Sequence, residues 1–185
     1  MNTKYIDFED IENWFGKDIS DWTLIRSKYI FRNKSYKGKI DEPLLSVTQR
    51  DGVIKRSDLD NKVWNPSDDV SGYKLVEPND FVISLRSFEG GIELSNIKGL
   101  VSPAYTVLET IEDIDSNYFR WMMKSYLFII ELNKHVSGIR QGKNIAWDDF
   151  SDIYLLKPSL YEQKLISQYL NKKTSKIDSL IEKIE

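Results

Sequence analysis

The chain has 185 residues, of which 41% are hydrophobic and 12% aromatic, enough to bury the core of one domain. It has no cysteine and a single histidine, His135, which excludes a disulfide framework, a thiol nucleophile and any metal site built from Cys or clustered His. A formal net charge of -3 is not the signature of a strongly basic nucleic-acid binder.

The charge is unevenly distributed along the chain. Residues 1–21 hold Asp7, Glu9, Asp10, Glu12, Asp18 and Asp21 against Lys4 and Lys17. This start lacks the basic residues and apolar stretch of a secretory signal, and the most apolar run, 126–130, is too short to span a bilayer, so a cytoplasmic location without membrane contact is expected. Residues 22–40 then hold Arg26, Lys28, Arg32, Lys34, Lys37 and Lys39 with no acid, interleaved with Trp22, Tyr29, Phe31 and Tyr36. Cations among aromatics can neutralise phosphates while the rings anchor the segment, so this run is the strongest local binding signal.

Strands are expected next, at about 44–48 and 52–54, joining a small antiparallel sheet formed within 74–109. That stretch contains Phe81-Val82-Ile83-Ser84-Leu85, turn chemistry at Gly90-Gly91, Ile92-Glu93-Leu94 and the β-branched run 101–108. Asp115 or Ser116 is placed to cap one long helix through about His135, with Phe119, Met122, Met123, Tyr126, Phe128, Ile130 and Leu132 at roughly helical spacing. Both methionines are read as core filling, and His135 as an imidazole near the helix C-terminus, where its cation suits the dipole.

A last strand over 153–156 leads to Pro158-Ser159-Leu160-Tyr161-Glu162, a capping box from Ser159 to Glu162 that opens the final helix. Beyond it Ile166, Leu170, Lys173, Ile177, Leu180 and Ile184 alternate by four and three, the pattern of a coiled-coil seam. Such a helix through residue 185 would be about 39 Å long, more than a compact domain covers, and reads as a projecting arm rather than a helix folded back on its own core.

Chemistry-bearing motifs are weak. Gly138-Ile139-Arg140-Gln141-Gly142-Lys143-Asn144 has three residues between its glycines and Asn after the lysine, where a phosphate-binding loop needs four and Ser or Thr, so it is read as a loop with Gly138 as a helix C-cap. Asn65-Pro66-Ser67-Asp68 lacks the second proline and the aromatic residue of an amino-methyltransferase motif, and is read as a turn. No Pro-Asp strand precedes Asp60-Asn61-Lys62, which leaves it short of a nuclease Mg²⁺ cluster. No nucleophile and base pair stands out, so an enzyme is not expected.

Three ordered stretches resemble the specificity subunit of type I restriction-modification systems. The first is Trp14-Phe15-Gly16-Lys17-Asp18-Ile19-Ser20-Asp21-Trp22 leading into Arg26-Ser27-Lys28-Tyr29-Ile30-Phe31, with Ser20 where the family usually has proline. The second is Gly72-Tyr73-Lys74-Leu75-Val76, Asn79-Asp80-Phe81-Val82-Ile83-Ser84-Leu85-Arg86, Gly90-Gly91-Ile92, and the run from Gly99-Leu100 through Val107-Leu108. The third is Gly138-Ile139-Arg140 with Pro158, Glu162, Gln163 and Ile166.

This resemblance implies a non-catalytic subunit without a cofactor that reads one part of a split site in double-stranded DNA. Its helices would hold methyltransferase subunits and, through them, the restriction subunit. The implied fold is α+β, with a target-recognition domain of small, mainly antiparallel sheet and packed helices over 1–157, then a long coiled-coil-type helix over 158–185. The usual subunit carries two recognition domains and two such helices, whereas this chain holds one of each, so a homodimer with antiparallel helices reading an inverted, interrupted site is expected.

Arg26, Lys28, Lys34, Lys37 and Lys39 are the expected phosphate contacts, and Arg50 beside Gln49 the expected base readers, since Arg suits guanine and Gln adenine. Arg86, Arg140 and Lys143 are further backbone-contact candidates. Gly91, Gly99, Ser102, Pro103 and Tyr105 are read as scaffold, and Ile166, Leu170, Ile177, Leu180 and Ile184 as helix-pairing residues. The alternatives are a truncated specificity subunit acting as a protein-binding or inhibitory module without DNA selectivity, and, less favoured for want of a catalytic domain, a piece of a fused methyltransferase.

Overall fold

The computed structural model describes residues 21–39, 41–59, 69–135 and 145–184. The entry segment 14–20, the motifs within 60–68 and the loop 138–144, with Arg140 and Lys143, lie outside the described residues.

The fold is α+β. Strand β1 (Thr23–Arg26) pairs antiparallel with β10 (Tyr154–Lys157), tying the start of the described chain to its end. The main sheet has the order β2-β9-β6-β7, from β2 (Phe31–Lys34), β6 (Phe81–Ile83), β7 (Glu93–Leu94) and β9 (Thr106–Thr110), all antiparallel. Two further pairs stand apart from it, the hairpin of β3 (Leu45–Thr48) with β4 (Gly52–Lys55), and β5 (Lys74–Val76) with β8 (Gly99–Val101). Among the described residues the segments expected to form one small sheet are thus divided among three, with β1–β10 a separate pair.

Period-two alternation explains why the run Phe81-Val82-Ile83 is apolar throughout: both faces of the sheet are covered. Phe81 and its partner Leu108 face one core, while Val82 and its partner Val107 face another built with Leu45, Val53, Val76 and Val101. The larger core centres on Phe31, whose ring meets those of Phe81 at 5.3 Å and Phe119 at 5.8 Å in edge-to-face geometry.

Gly90-Gly91 end a short helix, α1 (Ser87–Gly90), rather than forming a simple turn. Gly91 holds φ at 87°, and a Cβ there would stand 2.3 Å from the Met123 carbonyl oxygen, so backbone approaches backbone as only glycine permits. The approach lies at a break in the expected long helix, which is two: α2 (Ser116–Met123), capped by Asp115, whose carboxylate accepts from the Tyr118 N–H at 2.8 Å, and α3 (Tyr126–His135). Lys124 and Ser125 separate them, and Ser125 Oγ accepts from the Phe128 N–H. The break lets Phe119 and Met123 from one helix and Phe128 and Leu132 from the other enter the same core, and brings Lys124 Nζ to 2.8 Å from the buried Glu93. His135 ends α3, with Nε2 3.1 Å from Glu131.

Helix α4 (Trp147–Ser151) precedes β10, and the chain finishes in α5 (Leu160–Ile181). The Ser159–Glu162 capping box forms as the spacing predicts, Ser159 Oγ accepting from Glu162 N and Glu162 Oε2 accepting from Ser159 N. Twenty-two residues give about 33 Å of helix. Its first half is fastened to the domain: Gln163, 1% exposed, accepts from the Asp115 N–H and donates to the Pro158 carbonyl, and Trp121 Nε1 donates to Asn171 at 2.8 Å. No helix among the described residues is long and apolar enough to cross a membrane.

Candidate nucleic-acid interface

The basic run does not present one positive face. Thr23–Arg26 and Phe31–Lys34 lie in two different sheets, and the acids that meet their cations come from distant parts of the chain. Arg26 Nη1 and Lys28 Nζ share Asp152 Oδ1 at 3.0 and 2.9 Å, and Arg26 Nε also donates to the Tyr154 hydroxyl. Lys28, and then Arg26, hold the Asp152 carboxyl below the usual carboxylate range. Arg32 pairs across the sheet with Glu109 at 2.6 Å.

Lys34 corrects an expectation. Its side chain is 2% exposed and its ammonium donates to Glu77 at 2.6 Å and Asp80 at 2.7 Å, so it cannot reach a phosphate on the surface. Burial alone would lower this ammonium, but the hydrogen bonds it donates to Asp80 and Glu77 outweigh that and hold it above the usual lysine range. Burial is the larger influence on Asp80 and pushes its carboxyl up, against the pull of Lys34. Asp80 Oδ2 also accepts from the Glu77 N–H at 2.7 Å, which closes the turn around Asn79 at φ 74°. The lysine thus locks β2 to the turn that enters β6.

Lys37 and Lys39 follow β2 and are exposed. The β3–β4 hairpin carries Gln49 and Arg50 at its tip, where Thr48 pairs with Gly52 and the Asp51 N–H donates to Thr48 Oγ1. Arg50 is 94% exposed, with Asp51 no nearer than 3.8 Å. Gln49 Nε2 donates to Glu89 at 3.1 Å, and Arg86 grips the same carboxylate oxygen through Nε and Nη2. The structure therefore brings Gln49, Arg50 and Arg86 together at one end of the molecule, the hairpin tip steadied on α1, and leaves Arg26 and Lys28 at the β1–β10 pair.

The expected helix seam divides. Ile166 packs against the domain's own core and Leu170 is half-buried, so Ile166 is corrected from pairing residue to core residue. Ile177, Leu180 and Ile184 remain exposed, together with Ile181. Sequence reasoning missed an exposed row on the docked half, Tyr161, Leu165 and Tyr169, whose i, i+4, i+8 spacing was the available signal. It also assigned no role to Arg56 or to Lys74, the second of which lies in the Gly72–Val76 stretch. Among the described residues no group of His, Asp and Glu is arranged to hold a metal ion.

The sequence matches no family model and no curated protein. The fold does match solved structures. The HsdS subunit from Thermoanaerobacter tengcongensis superposes with a TM-score of 0.54 at 15% identity, covering 89% of this chain and 40% of that chain. A chain from a structure addressing complex assembly and conformational transition of the type I R-M system gives a TM-score of 0.57 at 16% identity, covering 89% of this chain and 41% of that one. This chain spans about two fifths of the length of these neighbours and shares their fold over that part.

Proposed function

We propose that this chain, which has the fold of the HsdS subunit across 89% of its length, is a non-catalytic specificity module of a type I restriction-modification system that reads one half of a bipartite site in double-stranded DNA. The observation that carries this reading is the hairpin tip, where Gln49, Arg50 and Arg86 are collected from two elements. Arg50 stands free for a bidentate contact with guanine in the major groove, while Gln49 and Arg86 are braced by Glu89. Lys37 and Lys39 would add phosphate contacts, as would Arg140 and Lys143, and Arg26 and Lys28 could do so only in competition with Asp152.

Docking onto methyltransferase subunits, and through them a restriction subunit, falls to α5. Its far half exposes Ile177 and Leu180, with Ile184 in the turn beyond its end, and two copies pairing these segments antiparallel would present two recognition domains. Ile177→Asp with Leu180→Asp is expected to abolish the dimer in sedimentation experiments while the denaturation midpoint of the domain stays unchanged, because neither side chain contributes to its core.

The reading is tested by titrating the chain, alone and with methyltransferase subunits, against random-sequence duplexes at several salt concentrations, then sequencing the bound fraction. A recovered half-site with steep salt dependence supports it. Partner binding without sequence preference would instead establish the alternative, a protein-binding or inhibitory module, which the exposed row Tyr161, Leu165 and Tyr169 favours.

A further inference from the structure

Glu89 stands in α1 against the hairpin tip, and one of its carboxylate oxygens organises two side chains. Arg86 donates to Oε2 through Nε at 3.0 Å and through Nη2, and Gln49 donates to the same oxygen through Nε2 at 3.1 Å. An isolated surface ion pair positions little, but a carboxylate gripped by two N–H groups of one guanidinium and by an amide forms a network of defined geometry.

That geometry decides which atoms are left to face a ligand. Gln49 Nε2 also donates to the Arg86 carbonyl oxygen at 3.4 Å, so its two hydrogens meet two acceptors. A carboxylate and a carbonyl accept and cannot donate, so the nitrogen side of the amide must face them and its oxygen faces away. Gln49 therefore offers a ligand an acceptor and no donor. Arg86, 70% exposed, has Nε–H and one Nη2 hydrogen engaged, and keeps Nη1 and the other Nη2 hydrogen as an end-on fork.

The amide is seated on a glycine. A Cβ on Gly90 would stand 2.8 Å from Gln49 Cγ, 2.9 Å from Cδ and 3.1 Å from Nε2, its three nearest atoms. Gly90 does not hold the positive φ that Gly91 does, so its backbone would accept alanine. What the missing methyl makes room for is the Gln49 side chain lying across α1.

We propose that Glu89 and Gly90 are positioning residues that set base choice at the tip: they leave Gln49 to accept from a base amino group and turn Arg86 end-on toward the acceptors of a guanine. A glutamine paired bidentately with adenine needs a donor for N7 as well as an acceptor for N6, and here its donors are engaged. Side chains held on one oxygen address one base pair, or two stacked ~3.4 Å apart. A G·C pair answers both groups at once, with guanine N7 and O6 for Arg86 and the cytosine N4 amino group for Gln49. This rests on the DNA-reading proposal and replaces adenine by a G·C pair as the partner of Gln49.

The test selects and sequences bound duplexes for the full chain and its variants. The unaltered chain should favour a G·C pair at a position whose preference Arg86→Ala removes. Glu89→Ala should lower discrimination at that pair about tenfold, while random-sequence duplex binds no more weakly, since an acid has left the surface. Damage to the fold would not move the two in opposite directions. Gly90→Ala displaces only the end of a flexible side chain, so it should lower discrimination at the pair a few-fold with an unchanged unfolding midpoint, and should add nothing to Gln49→Ala. An A·T preference lost in Gln49→Ala, or a spectrum that Glu89→Ala leaves as it was, would overturn the proposal and leave DNA reading in place. Gly90→Ala behaving as the unaltered chain while Gln49→Ala loses the pair would overturn the seat. If the unaltered chain recovers no sequence preference at all, the reading itself falls and this proposal with it.

Discussion

Two basic regions of this molecule have opposite fates. Arg26, Lys28, Arg32 and Lys34 are each met by acids from far along the chain, namely Asp152, Glu109, Glu77 and Asp80. Among the described residues Lys37, Arg56 and Lys74, around the β3–β4 hairpin and the strands beside it, meet no acid within 4.0 Å, and Arg50, 94% exposed, has only the adjacent Asp51 at 3.8 Å. Equal positive charge in the sequence therefore means cross-linking in one region and availability in the other. Overall acidity is compatible with nucleic-acid binding on these terms, since the acids neutralise the first region and leave the second exposed to a polyanion.

The largest effect expected to separate the two regions comes from Lys34→Met. It strands Asp80, only 6% exposed, without its cation, and should cost about 3–5 kcal/mol in urea unfolding at pH 7. Burial already raises the Asp80 carboxyl, and without Lys34 only the Glu77 N–H is left to oppose it, so folding should favour the protonated acid. The deficit is therefore full above that raised folded value and should shrink as pH falls through it toward ~4. In the unaltered chain Lys34 titrates above its ordinary value, so its contribution is complete below ~10.4 and is lost only as pH rises through the folded value. A penalty that did not narrow with acid would break the account of Lys34 as a buried cross-link.

Arg50→Ala should do the reverse, leaving the unfolding midpoint in place while lowering discrimination at one base position by about tenfold, read from sequenced bound duplexes. The smallest effect sharpens the contrast. Asp152→Asn releases Arg26 and Lys28 from their shared partner and should tighten duplex binding a few-fold at low salt, with a steeper salt slope and little change in the unfolding midpoint. An unchanged slope would show that the β1–β10 end lies away from the DNA.

Much of the local architecture was legible in the residues. The cap at Asp115, the box at Ser159 and Glu162, and strands β3, β4, β6 and β9 all follow from patterns a few residues long. The break at Lys124 was not, because the apolar spacing runs through it unchanged; it exists where Gly91 meets the Met123 carbonyl and Glu93 receives the lysine. Helix α5 shows the same limit, since one four-three pattern covers both Ile166, packed into the core, and Leu180, 58% exposed. Periodicity defines an apolar face, but what covers that face depends on where the domain ends.

The sequence by itself determined the class of elements, their caps, the absence of thiol chemistry and an ordered set of motifs resembling specificity subunits. Only the tertiary structure decided which cations are available. Lys34 meets an acid 46 residues away and Arg26 one 126 residues away, and such pairings arise when strands distant in sequence are laid side by side. Hydrogen bonding along the backbone sets structure over a turn or two, whereas charge compensation is a property of the assembled surface, so a basic run can be read from the chain and its use cannot.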